Sequence, residues 1–239
     1  MGQLESSTAA PLTGGPSDRI RVRRNPKKGR YEPHRIQAIL DRAMVAHVAF
    51  VDRGEPVCIP MLYARVGQKI YLHGSRASRA MRRLAEGERA CFTVTVLDGL
   101  VLARSAFEHS ANYESVVVFG RFQEVAGDGE RLAALAAFTD KLLPGRWREV
   151  RPPNAKELKA TMVLAMELAD ASGKVRSGPP DDDDTQDAAL DVWAGEVPIS
   201  HCFQTPIASP GLRDGVPISA SVRRLCAAQT STGAAAQRR

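Results

Sequence analysis

Residues 70–79 read IYLHGSRASR, and this stretch decides how the rest of the chain is interpreted. A short apolar run ends at His73 and Gly74, where the residue types change abruptly. Two hydroxyls and two guanidiniums follow within five positions, namely Ser75, Arg76, Ser78 and Arg79. Such a corner between a strand and a helix can hold a phosphate, because hydroxyls, guanidiniums and free backbone N–H groups all donate to its oxygens. The same residues also fit a helix N-terminus that Ser75 or Ser78 caps, with solvated arginines, and the local motif alone slightly favours that alternative.

Length and composition indicate one well-buried core, since the chain has 239 residues of which 44% are hydrophobic. No apolar stretch approaches the length that spans a bilayer, and residues 1–18 lack the basic and apolar regions of a secretory signal. We therefore expect a cytoplasmic protein with no membrane partner.

The four cysteines are widely separated and none forms a C-x-x-C pair, so the sequence predicts neither a zinc site nor a disulfide framework. Cys58 and Cys91 lie inside apolar runs and are predicted to be buried, reduced thiols. The acidic run at 181–184 lacks the spaced ligands and turn glycine of a calcium loop, so we predict no metal site there either.

The formal charge of +6 is concentrated in residues 19–35, which read RIRVRRNPKKGRYEPHR. Such a segment raises the possibility of nucleic-acid binding. Its only aromatic residue is Tyr31, and no reading helix or stacking platform is recognisable, so we do not expect a nucleic-acid partner. A basic arm beside an anionic ligand or an acidic partner subunit explains the charge equally well.

Hydrophobic periodicity predicts closely spaced strands with helices at the ends. The predicted strands are 47–52, 56–64, 69–73, 89–97, 100–107, 113–125 and 161–168, and Asp98-Gly99 is predicted to be a turn. One predicted helix begins at Pro33, and two others cover 77–86 and 128–143. About six strands in hairpin-like succession predict a mainly β fold with peripheral helices, a small antiparallel β-barrel. We divide the chain into a disordered tail (1–18), one domain (19–204) and a low-complexity, largely disordered C-terminal tail (205–239).

Several longer segments, in one order along the chain, carry a resemblance to a known family. They are ILDRAMVAHVAFV (39–51), EPVCIPMLYAR (55–65), IYLHGSRASR (70–79), LDGLVLARSAFEHSANYESVVVFG (97–120), LPGRW (143–147), ELKATMVLAMEL (157–168), SGKVRSGPP (172–180) and VWAGEVPI (192–199). With these segments the chain resembles the pyridoxamine-5′-phosphate-oxidase-like FMN-binding split barrels, in the branch of flavin-nucleotide-binding and 5-nitroimidazole-resistance proteins. The resemblance covers roughly residues 30–200.

The resemblance implies a six-stranded antiparallel split β-barrel, a homodimer, and FMN in the cleft between the subunits. The second strand would run along the isoalloxazine edge with Pro60, Met61, Leu62 and Tyr63. The corner would hold the FMN phosphate with Ser75, Arg76, Ser78 and Arg79, of which Arg79 best matches the basic position of the family motif. From the other subunit, the strand that begins at Tyr113 would approach the cofactor, with Asn112 and Tyr113 at the open face of the ring. Ser115 stands where the oxidases proper place a flavin-contacting glutamine, and it has a shorter reach.

Physical arguments from the residues agree with this assignment. Two arginines and a helix N-terminus can offset the nearly two negative charges of an FMN phosphate. Pro60 inside a strand-like run fits an edge strand, which leaves backbone groups free for a ligand. Together these observations raise phosphate binding at 75–79 above the capping alternative.

Two further residues are candidates with structural alternatives. His73 directly precedes the corner and is a candidate catalytic residue, as proton donor or substrate contact; otherwise a backbone carbonyl holds it. Trp193 either stacks on the flavin face or packs in a C-terminal flap. Lys174 and Arg176 are interpreted as an exposed basic loop rather than a second cofactor contact.

The implied activity is an FMN-dependent oxidoreductase that passes electrons from NAD(P)H to a small acceptor, such as a nitroaromatic substrate. The basic C-terminal substrate motif of true pyridoxamine-phosphate oxidases is missing, which disfavours vitamin B6 oxidation. A hydrolase is disfavoured because no carboxylate at readable spacing orients His109 beside Ser110. The alternative is a non-catalytic flavin- or heme-binding protein that stores, senses or sequesters, with His47, His73 and His109 as conceivable axial ligands.

Overall fold

The computed structural model describes residues 16–183 and 185–227, and within these ranges eleven strands form two antiparallel sheets. The strands are β1 (Gly29–Arg30), β2 (Val45–Asp52), β3 (Glu55–Leu62), β4 (Ala64–Val66), β5 (Lys69–Ser75), β6 (Arg89–Leu102), β7 (Ser110–Arg121), β8 (Gln123–Glu124), β9 (Thr161–Glu167), β10 (Asp170–Arg176) and β11 (Gly195–Pro198). The larger sheet has the order β1-β10-β7-β6-β2-β3, with β11 also paired to β6, and the smaller has the order β4-β5-β9-β8.

Helices lie around the sheets. They are α1 (Pro33–Arg42), α2 (Arg79–Ala85), α3 (Asp128–Leu142) and α4 (Ala155–Ala160), with a further helix at 220–227 inside the segment that we assigned to the C-terminal tail. Residues 1–15 and 228–239 of the predicted tails lie outside the described residues. The domain division therefore stays a prediction. No helix in the described ranges is long and apolar enough to cross a membrane.

The core lies between the two sheets, where alternate residues of each long strand point inward. The fully buried side chains include Val48, Phe92, Val94, Val116 and Val118 from the larger sheet and Ile70, Leu72, Leu164 and Met166 from the smaller. The sheets remain separate instead of closing into one barrel. The predicted fold class, a mainly β antiparallel split barrel with peripheral helices, is confirmed.

The turn that we predicted at Asp98-Gly99 is wrong, because β6 continues through both residues to Leu102. The register between β6 and β7 shifts between Leu97 and Gly99, which is a β-bulge. The glycine is needed because β11 packs against it: a Cβ at Gly99 would lie 3.0 Å from the Val197 carbonyl oxygen. A bulge glycine and a turn glycine are indistinguishable in a single sequence.

Two other expectations are corrected by the larger sheet. Lys174 and Arg176, interpreted as an exposed loop, lie in β10, and Arg176 is buried. Cys58 is exposed and Cys91 is only half-buried, although both lie in apolar runs. The reason is that both cysteines pair with Ala49 of β2 and therefore lie on the face of the larger sheet opposite the buried Val48 and Phe92.

Tyr63 connects two peripheral helices, α1 and α3, to the core. Its hydroxyl lies against the carbonyls of Leu40 and Ala43 at the end of α1, and its ring packs edge-on against Phe92. Lys141 of α3 donates to the same Leu40 carbonyl at 2.6 Å, with its Nζ 3.9 Å from the centre of the Tyr63 ring. A lysine thus satisfies a carbonyl at a helix C-terminus that the helix itself leaves free.

Burial of Lys141 lowers the pKa of its ammonium group from 10.5 to about 8. Between these two pH values the unfolded chain binds the proton and the folded chain releases it, so this lysine makes the free energy of unfolding rise with pH. We expect the free energy of unfolding of the native protein, relative to Lys141→Met, to increase from pH 8 to 10 in urea denaturation. Lys156→Met at an exposed position is the control, and parallel curves for Lys141→Met would contradict the assignment.

Candidate functional site

The corner at 75–79 is built where β5 ends and α2 begins. Strand β5 pairs with β9 as far as Ser75, and α2 packs directly on the strand, since a Cβ at Gly74 would lie 2.9 Å from the Met81 side chain. Ser78 caps α2 by accepting from the Met81 N–H at 3.4 Å, and the Ser75 hydroxyl accepts from the Ala77 N–H at 3.1 Å. Both hydroxyls therefore take part in local capping, while each still has its own O–H to donate to a ligand.

The two arginines of the corner already have protein partners. Arg76 donates to the Lys159 carbonyl at 3.0 Å and forms an ion pair with Glu124. Arg79 forms an ion pair with Asp52, yet its side chain is 67% exposed. Both guanidiniums thus remain accessible from solvent beside the exposed Ser75.

Asp52 is the buried charge beneath this corner, with only 2% of its side chain exposed. Strand β2 ends at Asp52, and Arg53 and Gly54 turn the chain with φ values of 54° and 86°. This tight turn brings the carboxylate under α2, where Arg83 approaches it at 3.0 Å from the side opposite its contact with Arg79. The carboxylate is thereby held by two guanidiniums.

Strand β3 is the free edge of the larger sheet, as Pro60 predicted. Pro60 and Leu62 are exposed and Met61 is half-buried, so these residues can line a ligand. Tyr63 is fully buried and its hydroxyl is used at the end of α1, so only its backbone is available for the predicted flavin contact.

Asn112, which was predicted to face the flavin, lines a cleft of about 370 Å³ at the other end of β6, together with Arg176 and Glu196. Arg176 donates to the side-chain oxygen of Asn112 at 2.5 Å and to the carbonyls of Gly178 and Pro179 at 2.8 and 2.9 Å. The amide of Asn112 donates in turn to Glu196 of β11. This network fixes Asn112 between β7, β10 and β11.

Tyr113 and Ser115 are half-buried on β7 beside the cleft. The Ser115 hydroxyl donates to the Lys174 carbonyl at 3.3 Å. At the mouth of the cleft, Arg42 forms ion pairs with Asp98 and Glu114. Three carboxylates and two arginines therefore surround this opening when Glu196 and Arg176 are included.

One chain does not bring the corner and this cleft together. Asp52, which pairs with Arg79 of the corner, follows Phe50 on β2, and Phe50 lies opposite Ala90 of β6. Asn112 of the cleft lies opposite Gly99 of the same strand β6. These positions are nine residues apart along β6, which is roughly 30 Å at about 3.3 Å per residue. The sequence-predicted site is thus divided between two ends of the sheet.

The remaining candidates lie apart from each other. His73 is on β5 with its ring edge-on to Phe138 at 4.3 Å, and desolvation lowers the pKa of the imidazole. Trp193, before β11, is 65% exposed and lies against Gly195. His109 has its Nδ1 2.8 Å from the Ser105 carbonyl oxygen.

Sequence reasoning missed Asp52, Glu124 and Glu196, which are the acidic partners of the predicted site residues. Asp52 was predicted only as the last residue of a strand, and its partners Arg79 and Arg83 are distant in the chain. No local signal identifies such a carboxylate, because the ion pairs with Arg79 and Arg83 of α2 create its environment.

Residues 32–175, more than half of the chain, match the sequence model of the pyridoxamine 5′-phosphate oxidase family. The chain belongs to the pyridoxamine 5′-phosphate oxidase family. This membership confirms the resemblance seen in the sequence. No curated protein matches.

Solved structures of the family agree with the fold. The chain is 39% identical to the flavocytochrome Anf3 from Azotobacter vinelandii, with a TM-score of 0.81 over 88% of this chain and 97% of that one. It is 41% identical to the FAD and heme binding protein from Mycobacterium smegmatis, with a TM-score of 0.79 over 83% of this chain and 97% of that one. A 5-nitroimidazole antibiotic resistance protein homologue from Bacteroides thetaiotaomicron shares the fold at 19% identity and a TM-score of 0.51, over 62% of this chain and 86% of that one.

The contrast between Asp52 and Glu124 gives a test of the corner. Because Asp52 is buried between two guanidiniums, we expect Asp52→Asn to lower the free energy of unfolding by about 1.5–3 kcal/mol. Glu124→Gln, at a more exposed pair with Arg76, is the matched control and should cost less than about 1 kcal/mol. Chemical denaturation of both variants measures the difference, and equal losses would show that burial of Asp52 contributes nothing.

Proposed function

We propose that this protein is a flavin-binding redox protein that holds the flavin phosphate at the corner of Ser75, Arg76, Ser78 and Arg79. The observation that carries the proposal is a pair of accessible guanidiniums next to a free sheet edge, in a chain of this family. Of the two relatives near 40% identity, the one from Mycobacterium smegmatis is an FAD and heme binding protein, which favours FAD over the FMN predicted from the sequence. FMN and FAD offer the same kind of phosphate oxygen to the corner, so the test below includes both.

The ion pairs at the corner are compatible with phosphate binding. Arg79 can turn towards a phosphate without leaving Asp52 unpaired, because Arg83 still contacts that carboxylate at 3.0 Å. Glu124, the partner of Arg76, is partly exposed, so its carboxylate stays hydrated when Arg76 also binds a phosphate. The hydroxyls of Ser75 and Ser78 add two neutral donors.

The division of the site between two ends of the sheet supports a homodimer. If the corner of one subunit and the residues around Asn112 and Tyr113 of the other face the same ligand, a second copy is required. Apolar side chains on and beside the edge strand β3 are exposed in the single chain: Met44, Val45, Val51 and Leu62. Burying them between subunits would be favourable, and the cleft would exclude water from the flavin ring.

The residues of the chain would bind and orient the cofactor, and a bound flavin supplies the redox chemistry by accepting hydride from NAD(P)H and passing electrons to a small acceptor. Backbone groups on the outer edge of β3 would meet the ring edge, since β2 pairs only with the other edge of this strand in the described sheet. His73 lies directly before the corner, and desolvation lowers the pKa of its imidazole, which favours the neutral ring there. The nitroaromatic acceptor and the cytoplasmic location remain predictions.

Flavin titration of the purified protein tests this function. We expect Arg76→Ala and Arg79→Ala each to weaken flavin binding by about 1.5–3 kcal/mol, the range for a hydrogen bond to a charged group. Arg35→Ala, at an exposed position of α1, is the matched control and should leave the affinity unchanged. Fluorescence quenching with FMN and with FAD measures the affinity and identifies the preferred cofactor.

Two outcomes would overturn the proposal. Unchanged flavin affinity in both corner variants would remove the phosphate site. Bound flavin that NADPH and NADH do not bleach under anaerobic conditions would remove the nicotinamide-dependent redox activity and leave a flavin-binding protein.

Heme binding is a second candidate function, and the geometry of His109 favours it. A carbonyl oxygen only accepts, so the Nδ1 of His109 must donate to Ser105, which leaves Nε2 of the neutral ring free to bind a metal. The exposed side chains of Phe107 (90%) and Trp193 (65%) belong to the same end of β6, since Ser110 pairs with Val101 and Gly195 with Leu102. Two aromatic side chains beside a prepared histidine suit a flat, apolar macrocycle.

We expect His109→Ala to abolish the Soret shift that accompanies heme uptake by the purified protein, because the axial ligand is lost. His34→Ala, at an exposed histidine of α1, is the control and should titrate like the native chain. The same heme affinity and spectrum in His109→Ala would exclude this residue as the ligand.

A further inference from the structure

The strongest charge feature of the molecule is the segment 19–35, which holds eight Lys and Arg against one Glu. Its net charge of +7 exceeds the +6 of the whole chain, so the rest of the protein is close to neutral. We call residues 19–30 the basic loop. A concentrated charge of this size attracts anionic partners over a distance and speeds their association at low ionic strength.

The basic loop is fixed in place by several bonds. The Val22 N–H donates to the Tyr31 hydroxyl at 2.8 Å, which closes the base of the loop. Gly29 and Arg30 pair with β10, and Arg30 also donates to the carbonyls of Lys27 and Gly29 at 2.9 and 2.8 Å. The loop therefore presents its charges from a defined position.

Three cations of the loop have no side-chain partner in the described part of the chain: Arg24 and Lys27, which are exposed, and Lys28, which is half-buried. Nearby cations behave differently. Arg19 pairs with Asp170 and lies over the Phe119 ring, and Arg23 pairs with Asp18. The unpaired three are available to an external anionic surface.

The basic loop lies next to the proposed flavin cleft. Gly29 pairs with Lys174 on β10, and Lys174 pairs with Ser115 on β7. Two strand spacings, about 10 Å, therefore separate the loop from the residues expected to face the flavin. A protein bound at the loop would be close to the cofactor.

The composition of the loop favours an acidic protein over other anionic partners. Its closing aromatic residue, Tyr31, is half-buried with its hydroxyl bonded, so it offers no stacking platform for nucleic-acid bases. Its apolar residues Ile20 and Val22 are half-buried, so no apolar face is available to enter a membrane.

We propose that the basic loop is the docking surface for a small acidic electron-carrier protein, which would be a second electron donor to the flavin in addition to NAD(P)H. This inference rests on the proposed function. Each carrier is oxidised by one electron, so two transfers, with protons from water, reduce the flavin fully. The loop would set the rate of encounter, because rim charges act mainly on association.

The test uses charge reversal with a matched control. The triple variant Arg24→Glu/Lys27→Glu/Lys28→Glu is compared with Arg148→Glu/Lys156→Glu/Arg213→Glu, which makes the same change of charge at exposed positions elsewhere. The probe is reduced plant-type two-iron ferredoxin, an acidic one-electron carrier. Stopped-flow absorbance gives the second-order rate constant of flavin reduction, and calorimetry gives ferredoxin binding to the flavin-free protein.

We expect the loop variant to lose at least about tenfold in rate constant at low ionic strength and the control less than about threefold. The difference should disappear in high salt. Equal rates in both variants would overturn the proposal, as would loop-dependent binding of a DNA duplex or of anionic vesicles that is tighter than that of ferredoxin. Loop-dependent ferredoxin binding by a chain that takes up no flavin would support the docking surface and refute only the proposed function.

Discussion

The pairing of Asp52 with Arg79 and Arg83 is the interaction on which the candidate site depends. A carboxylate taken out of water is costly unless cations compensate it, and here both compensating cations come from one short helix. The pairing fixes α2 over the end of β2, and therefore fixes the corner relative to the larger sheet. One of the two guanidiniums remains mostly in solvent, so the same pair that stabilises the fold also leaves a cation for a ligand.

The two ends of β6 have different chemistry. At the corner, hydroxyls and guanidiniums suit phosphate oxygens, whereas the distant cleft is built from the Arg176–Asn112–Glu196 network with further carboxylates. The free edge strand β3 runs alongside β2 between the corner and the cleft. Such a division is expected of a protein whose ligand lies between two copies, because each copy then needs to build only half of the environment.

The sequence was sufficient for the fold class, for most long strands and for the edge position of β3, since hydrophobic alternation and Pro60 depend on local residues. The sequence was insufficient where an element distant in the chain determines the conformation or the burial of a residue. Gly99 was taken for a turn because β11, which requires it, is remote in the chain. Arg176 was taken for a solvated residue because its partners are backbone carbonyls and a buried amide. The placement of the corner relative to the cleft is a property of sheet register and has no local signature.

The open edge of β3 also carries a consequence for how the protein assembles. Two of its residues, Pro56 and Pro60, have no N–H. Because they are four residues apart, both missing donors lie on the same side of the strand. An added strand would find gaps in the ladder of hydrogen bonds, so continuous β-polymerisation from this edge is disfavoured. Side-chain packing remains possible there, and it favours closed assemblies over fibres.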